Sequence, residues 1–82
     1  MNHQTYAQKL REELKKTHPE LQVDSIMTAP SMVDDGQTVF TFRGKGFAPV
    51  MIRSNYLEDA LERGGPGGTV KYIAEKIRLA SR

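Results

Sequence analysis

The sequence has no cysteine, no tryptophan and no long run of apolar residues. The absence of cysteine excludes disulfide bonds, thiol catalysis and cysteine-ligated zinc. Because small secreted domains usually depend on disulfides, it also favours a cytoplasmic location. The polar N-terminus is unlike a signal peptide, and no segment approaches the roughly 18–20 apolar residues of a membrane span. We therefore expect a cytoplasmic protein that makes no membrane contact.

The net charge is also small, at +2, because 12 basic residues nearly balance 10 acidic ones. That excess is far below the concentrated basic patch of a dedicated nucleic-acid-binding protein. A chain of 82 residues has room for one hydrophobic core. We expect a single domain over residues 1–82, with residues 1–4 as a frayed tail and little room for an enclosed active-site pocket.

The N-terminal part of the chain predicts an amphipathic helix over residues 5–17. Tyr6, Leu10 and Leu14 recur every four residues and form one apolar stripe. Thr5 stands three residues before a glutamine, which is the spacing of a capping box and predicts the start of the helix there.

The middle of the chain predicts three strands. Phe40 and Phe42 alternate with more polar residues, which is typical of a half-buried strand. The alternation of the first strand breaks near Ser25, which predicts a bulge or bend. Pro49 cannot donate to a ladder, so it predicts an edge strand or an irregular start. The strands are expected over residues 21–29, 38–43 and 47–53, joined by the turns Asp34-Asp35-Gly36 and Gly44-Lys45-Gly46.

The C-terminal part predicts two helices separated by the Gly/Pro segment of residues 64–68. Asn55 has capping-box spacing for a helix over residues 56–63, and Thr69 is the expected N-cap of the last helix. The predicted fold class is α+β, in the order α-β-β-β-α-α, with an antiparallel three-stranded meander packed on one face by helices. The expected core consists of Phe40, Phe42, Val50 and Ile52 under Leu10, Leu14, Ile73 and Ile77.

The Gly/Pro segment is the most unusual local feature of the sequence. Flexible backbone before a helix N-terminus is typical of a phosphate or carboxylate site; glycine at a helix end is equally typical of a plain turn. The candidate anion-binding residues are Arg63, Gly65, Gly67, Gly68 and Lys71. Gly65-Pro66-Gly67-Gly68 also resembles the Gly-x-x-Gly loop of KH domains, which implies contact with a nucleic-acid backbone. Two departures are the Glu62-Arg63 lead-in and the lack of a strand after the last helix.

A second candidate surface is the predicted hairpin with its outward sheet face. Arg43, Lys45, Met51 and Arg53 are expected to share this surface. Arg43, Lys45 and Arg53 are expected to form one basic cluster suited to phosphates, and the whole face is suited to a protein partner. A solvated sheet face with a charged turn is the alternative. The exposed edge of residues 47–53 also suits pairing with a second copy, giving a homodimer.

Catalytic signals are sparse. His3 and His18 are expected to be surface histidines, and Asp34-Asp35 to be turn formers. The sequence has no phosphate-binding loop, no nucleophile elbow and no metal-ligand spacing. We therefore expect no enzyme activity, no cofactor and no metal.

Elimination and size together favour a small macromolecule-binding module, with a protein as the expected partner. Small accessory proteins of bacteria and phages share this general form, which is an analogy of fold alone. The alternative hypothesis is a nucleic-acid-binding protein that uses the basic hairpin and the Gly-rich segment.

Overall fold

A computed structural model describes residues 2–33 and 35–81 of the chain. The order of elements is α-β-β-β-α, which confirms the α+β prediction. The elements are α1 (His3–Thr17), a 3-10 turn (Pro19–Leu21), β1 (Val23–Pro30), β2 (Thr38–Gly44), β3 (Val50–Arg53) and α2 (Ser54–Leu79).

The three strands form one antiparallel sheet in the order β1-β2-β3. The register between β1 and β2 shifts between Val23 and Ser25, which confirms the predicted bulge. β3 begins at Val50 rather than at residue 47, because Pro49 has no backbone N–H to donate to a ladder. Phe47 instead forms an isolated bridge with Ser81.

The predicted core is confirmed. Phe40, Phe42, Val50 and Ile52 turn to one face of the sheet and are buried there. Both helices cover that face, and their buried side chains include Leu10, Leu14, Ile73 and Ile77. Among residues 2–33 and 35–81, the fifteen buried apolar residues belong to one cluster. Both α1 and α2 lie on that side, so neither covers the opposite face of the sheet.

The start of α1 differs from the prediction. The helix begins at His3 rather than at Thr5, because the Asn2 side chain accepts hydrogen bonds from the backbone of Gln4 at 2.9 Å and of Thr5 at 3.4 Å. Residues 3 and 4 thus lie in α1 and Asn2 is its N-cap, while Met1 lies outside the described residues. The glutamine of the proposed capping box is therefore not needed at this end.

The two predicted C-terminal helices are one kinked helix. Gly65 alone leaves helical geometry, with φ 68° and ψ −167°, and the helix resumes at Pro66. Thr69 is therefore not an N-cap. It is buried inside α2, where its hydroxyl donates to the Gly65 carbonyl at 3.1 Å. Pro66 is tolerated here because it begins the helix again after the kink, where a backbone N–H would have no partner within the helix.

The start of α2 also differs, since Asn55 is not its cap. The helix begins at Ser54, directly after β3. The backbone N–H of Asn55 and the hydroxyl of Ser54 both donate to the side-chain oxygen of Gln37, each at 3.0 Å. The Gln37 side chain reaches this helix from the turn before β2. In that turn Gly36 has φ 78°, as the predicted turn requires, and Asp34 lies outside the described residues.

Candidate functional site

The side of the sheet away from the helices is here called the outer sheet face. Side chains alternate across a strand, so the register fixes which residues share this face. Met27 lies opposite Thr41, which lies opposite Met51; Val39 lies opposite both Ala29 and Arg53. The outer sheet face consists of Ser25, Met27, Ala29, Val39, Thr41, Arg43, Met51 and Arg53.

Two methionines form the centre of this face. Met27 is 59% exposed and Met51 is 72% exposed, and Thr41 lies between them on the middle strand. Each is at the middle of its strand, so neither can withdraw into the core without breaking the alternation of the strand. The result is a row of three side chains across the sheet, with a methionine on each outer strand and a threonine between them.

The two arginines lie on this face but do not form the single basic cluster predicted from the sequence. Arg53 pairs with Val39, four residues before Arg43 on β2, which puts the two positions about 13 Å apart. The Arg53 guanidinium lies over the Tyr56 ring, 5.5 Å from its centroid. Asp35 shares a surface depression with Arg53, so charge at that end is mixed.

Lys45 lies in the turn after β2, beyond the Arg43 end of the face. It lines an open depression together with Asp24, His18 and Lys15. This depression also reaches Leu14 of α1, so Lys45 lies toward the helical side of the sheet at this end, with the carboxylate of Asp24 in the same depression.

The Gly-rich candidate residues lie in the helical layer, on the other side of the sheet. Gly65 forms the kink of α2, and Gly67 and Gly68 lie in the helix that follows it. Arg63 is exposed, and its side-chain nitrogen contacts the Asp59 carboxylate at 3.1 Å. Lys71 is an exposed residue of α2. The structure thus separates the predicted site residues into two groups on opposite layers.

Open space surrounds most of these glycines. A Cβ atom added at Gly64, Gly65 or Gly67 would meet nothing within 4 Å, and one at Gly68 would approach only the Ala60 carbonyl at 3.6 Å. Within the described part of the chain, no close contact therefore requires glycine at these four positions. The positive φ of Gly65 is the one conformational reason for a glycine among them.

The histidines do not join a catalytic cluster. His3 was expected at the surface but is half-buried, with its ring edge-on to Phe40 and its Nδ1 3.1 Å from the Thr38 hydroxyl. His18 Nδ1 lies 2.9 Å from the Thr17 hydroxyl. Among residues 2–33 and 35–81, no carboxylate bonds to either ring, and no group of three or more potential metal ligands occurs.

Sequence reasoning missed Met27 and the groove beside it. The broken alternation of residues 21–29 hid the fact that Ser25, Met27 and Ala29 share a face once the bulge has shifted the register. The groove lies between α1 and the free side of β1, with a volume of about 450 Å³. Restarting the alternation after Asp24 is the signal that would have found both.

Comparison with protein-family models, with curated proteins and with solved structures found no match. Within the described part of the chain, no helix has an apolar stretch long enough to cross a bilayer.

Proposed function

We propose that this protein is a small macromolecule-binding module that holds a partner protein against its outer sheet face. The observation that supports this proposal is the pair of exposed methionines, Met27 and Met51, aligned through Thr41 on the sheet face that neither α1 nor α2 covers. Exposed apolar side chains that line up across a sheet are typical of interaction surfaces.

The composition of the face suits protein binding. Methionine and arginine are enriched at protein interfaces, and an apolar centre with a polar rim is their usual arrangement. Methionine is flexible and polarizable, so it adapts to a partner surface. Here Met27 and Met51 form the centre, while Arg43 and Arg53 lie toward opposite ends.

A photo-crosslinking residue at position 51 tests the proposal. The matched control is position 79, since Leu79 is an apolar residue of α2 that is 83% exposed and lies away from the outer sheet face. Crosslinking in an extract of the source cells, treated with nuclease, identifies a protein that attaches at position 51 and not at position 79. That protein is then purified for titration.

In the titration, we expect the double variant Met27→Ser/Met51→Ser to bind the purified partner at least about tenfold more weakly. Leu79→Ser should change the affinity less than about twofold. Circular dichroism verifies that each variant is folded. If Leu79→Ser weakens binding as much as the double variant, or if no purified protein binds, the outer sheet face is not the binding surface.

Nucleic-acid binding is the second candidate function, and Arg43 with the neighbouring Lys45 supports it. Against it stand the methionine centre and the absence of an aromatic residue among the eight residues of the face, since single-stranded recognition on a sheet relies on stacking. Fluorescence anisotropy with single- and double-stranded oligonucleotides at low salt separates the two functions. Binding that falls steeply with salt and weakens in Arg43→Ala and Lys45→Ala would favour nucleic acid.

A further inference from the structure

The free side of β1 is an unpaired strand edge. β1 is the first strand in the order β1-β2-β3, and its eight residues make it the longest of the three. The outer edge of a strand presents unpaired backbone N–H and C=O groups at alternate residues. Residues 25–29 carry no charged side chain and no proline. The features that usually prevent pairing at an edge are therefore confined to the ends of β1, with the bulge and Asp24 at one end and Pro30 at the other.

The edge of β3 is less available. The backbone N–H of Ala48 donates to the Ala80 carbonyl at 3.2 Å, and Phe47 bridges to Ser81. Ala80 and Ser81 thus already pair with part of the 47–53 segment that the sequence suggested for a homodimer. Only the four residues of β3 itself remain, and Pro49 precedes them.

A groove runs along the β1 edge, and α1 forms its other wall. Gln4, Ala7, Gln8 and Arg11 line the α1 side, and residues 25–28 line the strand side. The lining thus carries one positive charge and no negative charge. Among the described residues, no hydrogen bond or ion pair holds the Arg11 guanidinium.

We infer that an extended segment of a partner protein adds to the sheet along β1, with an acidic side chain directed at Arg11. The backbone edge selects an extended chain, because only a strand can pair with its alternating donors and acceptors. The side chains of an added strand alternate between α1 and the outer sheet face beside Met27. The single cation of the groove selects the acidic residue by charge complementarity. The groove shares Ser25 and Met27 with the outer sheet face, but this inference rests on the strand edge and Arg11 and does not depend on the proposed function.

Synthetic peptides of about eight residues test the inference by NMR titration of the ¹⁵N-labelled full chain. The first peptide alternates valine and threonine with one central glutamate; the second has lysine in place of glutamate; the third has proline at alternate positions. The glutamate peptide should shift the amide signals of residues 25–29 and of the α1 wall, with a dissociation constant between about 1 μM and 1 mM. The lysine peptide should bind at least about threefold more weakly, and the proline peptide not at all.

A charge exchange gives the sharper result. Arg11→Glu should lower the affinity for the glutamate peptide about threefold to tenfold and raise the affinity for the lysine peptide. Lys9→Glu is the matched control, because Lys9 is an exposed residue of α1 that lines a different groove, on the α2 side. This control should leave both affinities within about twofold.

Three results would overturn the inference. The first is no shift of the amide signals at about 1 mM of any peptide. The second is a set of shifts that stays the same after the charge exchange at Arg11. The third is a set of shifts at residues away from β1 and α1. Sedimentation of the chain without peptide tests whether a second copy of the chain occupies the edge. If the chain is a dimer and its residues 25–29 are protected from hydrogen exchange without peptide, the edge binds a second copy rather than a partner segment.

Discussion

The side-chain oxygen of Gln37 lies 3.0 Å from the backbone nitrogen of Asn55, eighteen residues further along the chain. The same oxygen accepts a hydrogen bond from the Ser54 hydroxyl, which in turn accepts one from the backbone N–H of Thr38 at 3.1 Å. The side chain of Gln37 therefore links the start of β2 to the start of α2 through hydrogen bonds. A cap supplied from so far away has no local sequence signature, so the sequence alone predicts Asn55 as the cap instead.

Replacing Gln37 should weaken this junction. Gln37→Ala removes the acceptor of an otherwise orphan helix N–H, and we expect a loss of about 1 kcal/mol in the free energy of unfolding. Gln37→Glu keeps an acceptor and adds a charge that the helix N-terminus favours, so it should retain most of the stability. Urea denaturation measures both. Equal losses in the two variants would show that the side-chain oxygen is not the stabilising group.

Adjacent glycines in α2 should respond to substitution in opposite directions. Gly65 has φ 68° and ψ −167°, a region of backbone space almost confined to glycine, so Gly65→Ala should cost about 1–3 kcal/mol. Gly64 is helical, exposed and surrounded by open space, so Gly64→Ala should stabilise the protein by about 0.5–1 kcal/mol. Thermal unfolding of the two single variants compares them directly. A loss of stability in Gly64→Ala would contradict this account of the kink.

These residues also show how far the sequence predicted the fold. The alternation of Phe40 and Phe42 and the apolar stripe of α1 predicted the sheet, its inner face and the helices that cover it, because burial enforces those periods over several residues. The errors lie at element ends. There, single hydrogen bonds from distant residues decide where a helix begins. A five-residue Gly/Pro segment is compatible with either a break between two helices or a kink within one.

The candidate site was predictable in part for the same reason. Met51 and Arg53 were assigned to the outward face from the alternation of β3. The distance between Arg43 and Arg53 was not predictable, because it depends on the pairing register. Phe42 pairs with Val50, so the C-terminal ends of β2 and β3 lie at opposite ends of the sheet.

Gly44 should be intolerant of any side chain. A Cβ atom there would lie 2.5 Å from the Gln22 carbonyl oxygen and 2.5 Å from the Phe47 ring. Because Gln22 is held in a left-handed conformation and Phe47 is buried, neither can move aside easily. Gly44→Ala should therefore destabilise the protein by about 1–3 kcal/mol.

Gly46, two residues later in the same turn, provides the control for Gly44. Nothing lies within 4 Å of a Cβ atom built there, so Gly46→Ala should change the stability by less than about 0.5 kcal/mol. Chemical denaturation of both variants gives the comparison. Similar stability of the two would mean that the chain before β3 is not packed against Gly44.

Tyr6 should be replaceable by phenylalanine without loss. Its hydroxyl oxygen is buried and, within the described residues, has no hydrogen-bond partner, while its ring lies edge-on to Phe40. Tyr6→Phe removes the unpaired polar atom and keeps the ring, so we expect unchanged or slightly higher stability. Tyr6→Leu, which loses the ring geometry as well, should be less stable than Tyr6→Phe.

The same phenol predicts a dependence of stability on pH. Burial raises the pKa of Tyr6 above its ordinary value of 10.0. The Thr69 hydroxyl, which donates to the Gly65 carbonyl and makes no hydrogen bond to the phenol, opposes this shift, and the charge of Glu58 adds to it. Because the folded pKa is the higher one, the neutral phenol contributes its stability below pH 10, and this contribution is lost as pH rises through the folded pKa. The free energy of unfolding should thus fall more steeply above pH 10 in the wild type than in Tyr6→Phe. Parallel curves would contradict the shift.

The two arginines of the outer sheet face should act independently on a bound partner. Positions about 13 Å apart exceed the screening length at physiological salt, so their contributions to binding should add. With the partner identified by crosslinking at position 51, the loss of binding free energy in Arg43→Ala/Arg53→Ala should equal the sum of the single losses within about 0.5 kcal/mol. Isothermal titration of the four proteins measures this. A large departure from additivity would mean that one partner group spans both arginines, as one continuous acidic segment laid along β2 would do.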